Sequence, residues 1–379
     1  MTKESTQMKG TRLSHTVAPA ERIVSIDALR GFDMFWIAGG GPMVYEFFKL
    51  FANPLPSWLE EQFDHVPWEG FVAWDLIMPL FLFIVGAAMP FSIGKRLAQG
   101  DGRRRIYLKV IYRVLLLWAL GMVAQGNLLH FRMDDLLLYS NTLQAIAAGY
   151  LISAIALVEL PVKGQAVLAG ILLLIFWGLM RFVLVPGHGI GVLSPEGNLA
   201  MWVDQSLLGR FRDGNDYTWI LSSIGFGATT LIGVLAGHLL RAPGPKLPKV
   251  FWLIISGLAC LLAGWLWSFE FPIIKHIWTS SMVLWAGGWS LLLLALFYWV
   301  IDILGFRRWA FVFIIIGTNA IVAYIAPGII PFGDISNTLF AGLAKHLGQF
   351  GGFLLTAGTF GVLWLLLYYM YRNKTFVRI

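Results

Sequence analysis

The sequence predicts an all-α polytopic membrane protein, about 10 transmembrane helices in one bundle with both termini cytoplasmic, and three observations predict it. The 379 residues are 58% hydrophobic and only 13% charged, whereas soluble domains carry about 25% charge. Apolar runs of about 20 residues, long enough to cross a bilayer core, recur along the whole chain. Lysine and arginine concentrate in alternate loops, the asymmetry that sets membrane orientation.

The elements follow in order. Residues 1–25 are polar, hold no periodic apolar pattern and read as a disordered cytoplasmic tail, with 26–379 a single transmembrane domain. The tail has no cleavage signature after a full-length apolar run, so it is expected to stay on its original side. The first run, 31–51, opens with SIDALRGFD. Ser25 is placed to cap it, Asp27 favours its positive end, and Arg30 lies three residues from both Asp27 and Asp33. That charge cluster reads either as a boundary anchor or as part of a ligand site. The second run, 71–91, follows the polar stretch FDHVPWEG and carries Asp75. The third, 106–126, is led by Arg103, Arg104 and Arg105 and holds Lys109 and Arg113. The fourth, 139–158, contains Asn141 and Gln144, and the fifth covers 166–185. After the longest loop, 186–218, come the sixth, 219–240, and the seventh, 250–269, with the lone Cys260, which can form no intrachain disulfide. The eighth, 279–300, starts Thr279-Ser280-Ser281; the ninth, 309–330, holds Asn319; the tenth is 351–371.

Alternate loops place Arg30, Lys95, Arg96, Arg103 to Arg105, Lys163, Arg241, Lys246, Lys249, Arg307, Arg308 and Arg372 on one side, and only scattered cations, Lys49, Arg132, Arg181, Arg210, Arg212, Lys275 and Lys345, on the other. The first side is therefore read as cytoplasmic, in the cell inner (plasma) membrane, and the +7 net charge as topological. It gives no reason to propose nucleic acid as a partner. His65, the long loop and the Lys275–Trp278 stretch then face outward.

No histidine pair is spaced i, i+4 around a carboxylate and no Cys/His cluster exists, so no metal is expected. His65 stands out because Pro67 is placed to begin the next helix, which puts the imidazole at a positive helix end where the neutral form is favoured. A neutral imidazole can serve as a general base or as an acyl-accepting nucleophile. A structural role for His65 stays open on the same residues. Asp75, about two turns further in, needs a partner, since an unpaired acid in a membrane helix costs about 2.5–3.5 kcal/mol. Arg113 calls for an anion, and phosphate suits its fork.

In order along the chain, RIVSIDALRGFDMFWI, HVPWEGFVAWDLIMPLFLFIVGAAMP, LQAIAAGYLISA, ATTLIGVLAGHLL, IIKHIWTSSMVLWAGGWSLLLLALFYWVID and GTNAIVAY resemble the heparan-alpha-glucosaminide N-acetyltransferase family and its bacterial relatives. The resemblance covers nearly everything after residue 20. Without the extra N-terminal region of the lysosomal enzyme, the chain looks like a bacterial-type member. The resemblance implies transfer of acetyl from cytoplasmic acetyl-CoA to the amino group of a glucosamine-type sugar across the membrane. It implies His65 as the catalytic histidine, with Asp75 orienting or neutralising its partners. Arg113, Arg30, Arg105 and Lys109 would hold the nucleotide end of acetyl-CoA, and Trp68, Glu69, Lys275, Trp278 and Asn319 would contact the sugar. A homodimer is also implied. Family members usually carry an asparagine before the glycine-rich run of the first helix, where this chain has Ala38 and Gly39. Two other readings remain at this point: an amino-sugar transporter without acyl transfer, and an O-acyltransferase acting on a cell-envelope glycan.

Overall fold

The computed structural model describes residues 23–377. Of the segment expected to be a tail, residues 1–22 lie outside the described residues, and Val24 and Ser25 already belong to the first helix, α1 (Val24–Phe35). Ser25 is not its cap. The carboxylate of Asp302 accepts the free N–H groups of Val24 and Ser25 at 3.3 and 3.0 Å, so a side chain 277 residues away does the capping that sequence assigned locally. Arg30 pairs with Asp27 at 3.2 Å, while Asp33 is fully buried with no hydrogen bond to either oxygen from the described residues.

A π-helical run, Trp36–Gly40, joins α1 to α2 (Gly41–Lys49), and Ala38 and Gly39 leave helical geometry within it. Gly39 takes φ +103°, a conformation open to glycine and costly for other residues. The expected first crossing is thus a broken one. After a short α3 (Ser57–Glu60) and a 3₁₀ turn, Ala73–Leu76, come α4 (Ile77–Ala98), α5 (Arg103–Ala124), α6 (Thr142–Glu159) and α7 (Val162–Phe182). A two-residue hairpin, β1 (Leu184–Val185) and β2 (Gly189–Ile190), and α8 (Leu199–Leu208) fill the long loop. Then follow α9 (Ser223–Arg241), α10 (Lys246–Ser268), α11 (Ser280–Phe297), α12 (Phe311–Thr318), α13 (Ala320–Ile329), α14 (Phe332–Ala344) and α15 (Phe350–Arg372).

Among the described residues, eight helices are long and apolar enough to cross a membrane, or nine if α12 and α13, bent by 76°, count as one span. The fold is an all-α polytopic membrane protein. Its centre is α4, α6, α9 and α11, whose apolar residues are mostly buried; α5, α7, α10 and α15 form the rim and leave Leu108, Leu115, Leu262 and Leu365 exposed, as lipid-facing surfaces do.

Small residues set the closest approach. A Cβ on Gly86 of α4 would stand 2.0 Å from the Thr230 carbonyl oxygen, and one on Gly233 of α9 would stand 2.0 Å from that of Phe83. The two backbones therefore touch directly, the arrangement that drives helix association where lipid removes the hydrophobic incentive. Gly31 and Gly317 do the same for α1 and α12. This packing fixes α4, which follows directly on the 3₁₀ turn that carries Asp75.

Candidate active site

The chain between α3 and α4 folds differently from the expected helix beginning at Pro67. Residues 64–72 are not helical, and α4 is entered only through the 3₁₀ turn at Ala73. The correction has a physical cause. Glu69 makes an antiparallel bridge with Ile274, and the Gly70 N–H donates to the Ile273 carbonyl at 2.9 Å. The segment is held extended against the α10–α11 loop, and Gly70 turns it with φ +124°. Asp75, in the first turn, accepts the Val72 N–H through Oδ2 at 3.2 Å.

The folded-back loop brings His65 onto Asp75: Nδ1 of the imidazole lies 2.7 Å from Asp75 Oδ1. Lys275 Nζ donates to the same oxygen at 3.3 Å and lies 3.1 Å from Nδ1. Asp75 is 1% exposed and the Lys275 side chain 5%, while the His65 side chain is 38% exposed. A carboxylate oxygen can only accept, so both neighbours point protons at it. Beside a carboxylate that only accepts, the 2.7 Å contact calls for a hydrogen on Nδ1, and in the neutral imidazole that places the lone pair on Nε2. The partner that Asp75 required is double, His65 and Lys275. Burial pushes the Lys275 ammonium down to about 8, against the upward pull of Asp75.

Ile274 and Ile277, both fully buried, pin the Lys275 loop into a small second core with Phe176, Met180 and Phe271. His276 is clamped between two rings, Trp68 at 5.2 Å and Tyr217 at 4.3 Å, and burial lowers its pKa, with Lys275 acting in the same direction. His65, Lys275 and Tyr217 open on a cavity of about 370 Å³, also lined by Trp74, Ser140, Asp213 and Trp219.

The other expected site residues fall elsewhere. Trp68 is beside the cavity, its indole donating to the Leu193 carbonyl at 2.9 Å, and Glu69 is exposed on the bridge; neither is on the cavity wall. Trp278 is 2% exposed, with φ +57°, and its indole donates to Thr229 Oγ1 inside the bundle. The tight turn after Lys275 drives that ring inward against Gly225, which places it in the bundle core and off the cavity wall. Asn319 is also away from the cavity: it breaks α12 from α13, donates to the Thr375 carbonyl at 3.2 Å and accepts the Val377 N–H at 3.0 Å. Arg113 places its guanidinium 4.4 Å over the Tyr150 ring, with Nε buried and without a hydrogen-bond partner among the described residues. Arg105, paired with Asp101 at 3.6 Å, and Lys109 are exposed on the same helix, α5; Arg30 is on α1. Asp213 and Tyr217 escaped the sequence reading because they sit in an aperiodic loop, and Ser140 and Trp219 because they stood at the edges of apolar runs whose helices begin only at Thr142 and Ser223. Among the described residues no group of three or more His, Cys, Asp or Glu could hold a metal ion.

Fold and site together define a multi-pass membrane protein with a buried Asp–Lys pair holding a half-exposed histidine over a polar cavity. No family model matches the chain. It is similar to the heparan-alpha-glucosaminide N-acetyltransferases of Homo sapiens, 24% identical over 365 aligned residues, and of Mus musculus, 23% over 369. The similarity takes in 80% and 81% of this chain but 52% and 53% of the relatives, so the chain spans about half the length of the curated relatives it matches.

Proposed function

We propose that the protein is a transmembrane acetyltransferase that moves acetyl from acetyl-CoA to the amino group of an amino sugar such as glucosamine. The observation that carries this reading is the 2.7 Å contact between His65 Nδ1 and Asp75, which in the neutral imidazole leaves the Nε2 lone pair free on a residue of the cavity wall. The names of the two mammalian relatives support it, as does the resemblance of the HVPWEGFVAWDL motif. The asymmetry of Lys and Arg supports placing the His65 end outside the cytoplasm of the inner membrane.

The donor's phosphates fit the α5 side of the bundle: Arg113 has a buried Nε without a hydrogen-bond partner among the described residues, and a fork-shaped cation in that state suits phosphate. Arg113 with Lys109 and Arg105 would hold the nucleotide, and the bound donor supplies a thioester. At the other end His65 Nε2 takes a proton from the acceptor amine as nitrogen bonds to the acetyl carbon. The carbon–sulfur bond breaks and His65 returns that proton to the departing thiolate. Asp75 stabilises the transient imidazolium and keeps the ring in one orientation. Direct attack by Nε2, with acetyl carried on His65, uses the same geometry.

The test is label transfer from acetyl-CoA to glucosamine by purified protein in liposomes. Loss of transfer in His65→Ala is expected; transfer that survives would remove His65 from the mechanism. A bound-label assay with acetyl-CoA alone separates the two routes, since only the acetyl-His65 route labels the protein. A transporter reading draws on the helix breaks at Gly39 and Asn319, because discontinuous helices often frame transport sites. Uptake of N-acetylglucosamine into liposomes without CoA would favour it, and labelling of a hydroxyl acceptor would favour O-acyl transfer.

A further inference from the structure

The cavity beside His65 has a second polar wall that the transfer chemistry leaves unused. Asp213 lines it, in the loop after α8. Its carboxylate accepts the Trp219 indole N–H at 3.2 Å through Oδ2 and the Asn215 N–H at 3.2 Å through Oδ1. The Asn215 side chain also bonds to this carboxylate and the Arg212 charge acts on it, but the Arg212 guanidinium donates its own hydrogen bonds to the Asn215 carbonyl and Met201 Sδ, which leaves the acid, among the described residues, without a direct ion pair on the cavity side. The ring under that acid is fixed. Asp204, fully buried on α8, accepts the Trp219 and Ile220 N–H groups at 2.7 and 3.0 Å, and Tyr139 packs on the Trp219 indole at 5.5 Å. Ser140, 9% exposed, also lines the cavity, and its buried Oγ has no hydrogen-bond partner among the described residues. A rigid aromatic floor, a carboxylate and an unsatisfied hydroxyl form one wall, and His65 with Lys275 forms another.

We infer that this wall is the acceptor subsite and that Asp213 is its specificity residue, binding the ammonium form of an amino sugar while Ser140 bonds a ring hydroxyl. The inference rests on the acetyltransferase reading and adds to it what the acceptor must carry on arrival: a positive charge, from which one proton passes to solvent before the neutral amine attacks the thioester and gives its next proton to His65. At about 370 Å³ the cavity is at the small end of ligand sites, about 300–1,000 Å³, which suits a single hexosamine unit. The product fits the wall poorly, because N-acetylation removes the charge that Asp213 pairs with, so the same residue that captures the acceptor releases the acetylated sugar.

Asp213→Asn keeps an oxygen for the Trp219 N–H and removes only the charge. Titration of tryptophan fluorescence with glucosamine and with N-acetylglucosamine reads the subsite without any turnover. Wild-type protein is expected to bind glucosamine at least tenfold more tightly than N-acetylglucosamine, and Asp213→Asn to lose that preference, with Asp213→Glu recovering part of it. In the transfer assay KM for glucosamine rises at least tenfold in Asp213→Asn while kcat falls much less. Asp216→Asn, an exposed acid outside the cavity wall, serves as the charge control. Equal affinity for the two sugars in wild type, or an undiminished preference in Asp213→Asn, overturns the inference. A wild-type protein that prefers glucosamine yet transfers no acetyl would instead leave the subsite standing and remove the acetyltransferase reading.

Discussion

Lys275 Nζ and Asp75 Oδ1 lie 3.3 Å apart across 200 residues of sequence, both almost completely buried. Two opposite charges out of water are tolerable only as a pair, and deleting one strands the other at a cost of about 3–5 kcal/mol. Asp75→Asn is therefore expected to lower thermal stability in detergent and to cut acetyl transfer by about 10²–10⁴-fold, the usual contribution of an oriented acid–base group. The double variant Asp75→Asn/Lys275→Met should regain much of the stability and none of the activity. If the single and double variants melt together, the pair is not what holds the loops.

How far this site could be read in sequence depends on where each signal lies. The apolar runs were legible because a helix that crosses lipid must be apolar over its full length, and nine of the ten predicted runs coincide with the eight long helices and the bent α12–α13 pair. His65 and Asp75 were legible as a motif, but their contact was not. Pro67 resembles a helix start, and only the pairing of Glu69 and Gly70 with residues 273–274 holds that stretch extended. Lys275 was placed near the site by its motif, with no local cue that it would reach Asp75. Trp278 was expected at the sugar on the strength of the resemblance, while a positive φ sends its ring inward. Asp213 and Ser140 lie in loops whose course is set by buried Asp204 and by the Asn141–Gln144 cap of α6, neither of which has a periodic signature.

The Lys275 ammonium sets a pH dependence. Burial lowers its pKa from 10.5 to about 8, so between about 8 and 10.5 the unfolded chain binds a proton that the folded chain does not. Stability then rises with pH across that window. The cost of the buried charge is in full force below about 8 and is relieved above it. Melting temperatures between pH 7 and 10 should show this rise in wild type, superimposed on the rest of the chain's titration, and a weaker one in Lys275→Met. Identical profiles would mean that the lysine is not desolvated in the folded protein.

Gly70 tests the bridge. Its φ of +124° is strained for any side chain, although a Cβ there meets only Val66 at 3.5 Å. Gly70→Val should therefore act through the backbone, loosening the 69–70 to 273–274 pairing and moving His65 off Asp75. The expectation is a fall in kcat of ten- to a hundredfold with a smaller loss of melting temperature. A variant with normal kcat would show that the bridge does not position the histidine.

The α4–α9 contact makes a steric prediction. With only 2.0 Å between an added methyl and a carbonyl oxygen on each side, Gly86→Ala and Gly233→Ala cannot be absorbed by a rotamer change. One helix has to move. The cost should be at least the about 1–3 kcal/mol of overpacking, visible as a lower melting temperature and poor recovery from membranes. Gly170→Ala and Gly178→Ala on α7, where a Cβ meets nothing within 4 Å, are the matched controls and should be neutral. Tolerance of Gly233→Ala would contradict the close crossing.

Asn319 separates a structural role from the sugar contact that its motif suggested. Its amide ties the break between α12 and α13 to the chain end, donating to the Thr375 carbonyl and accepting the Val377 N–H. Asn319 is fully buried while Thr375 and Val377 are exposed, so removing its amide costs the two hydrogen bonds themselves, about 0.5–1.5 kcal/mol for each. Asn319→Ala is expected to lower the melting temperature and to make the segment after Arg372 more accessible to protease. Because it does not line the cavity with His65 and Asp213, KM for glucosamine should stay within about twofold. A large rise in KM with an unchanged proteolysis pattern would return Asn319 to the acceptor site, and would require the α12–α13 break to open toward the cavity during turnover.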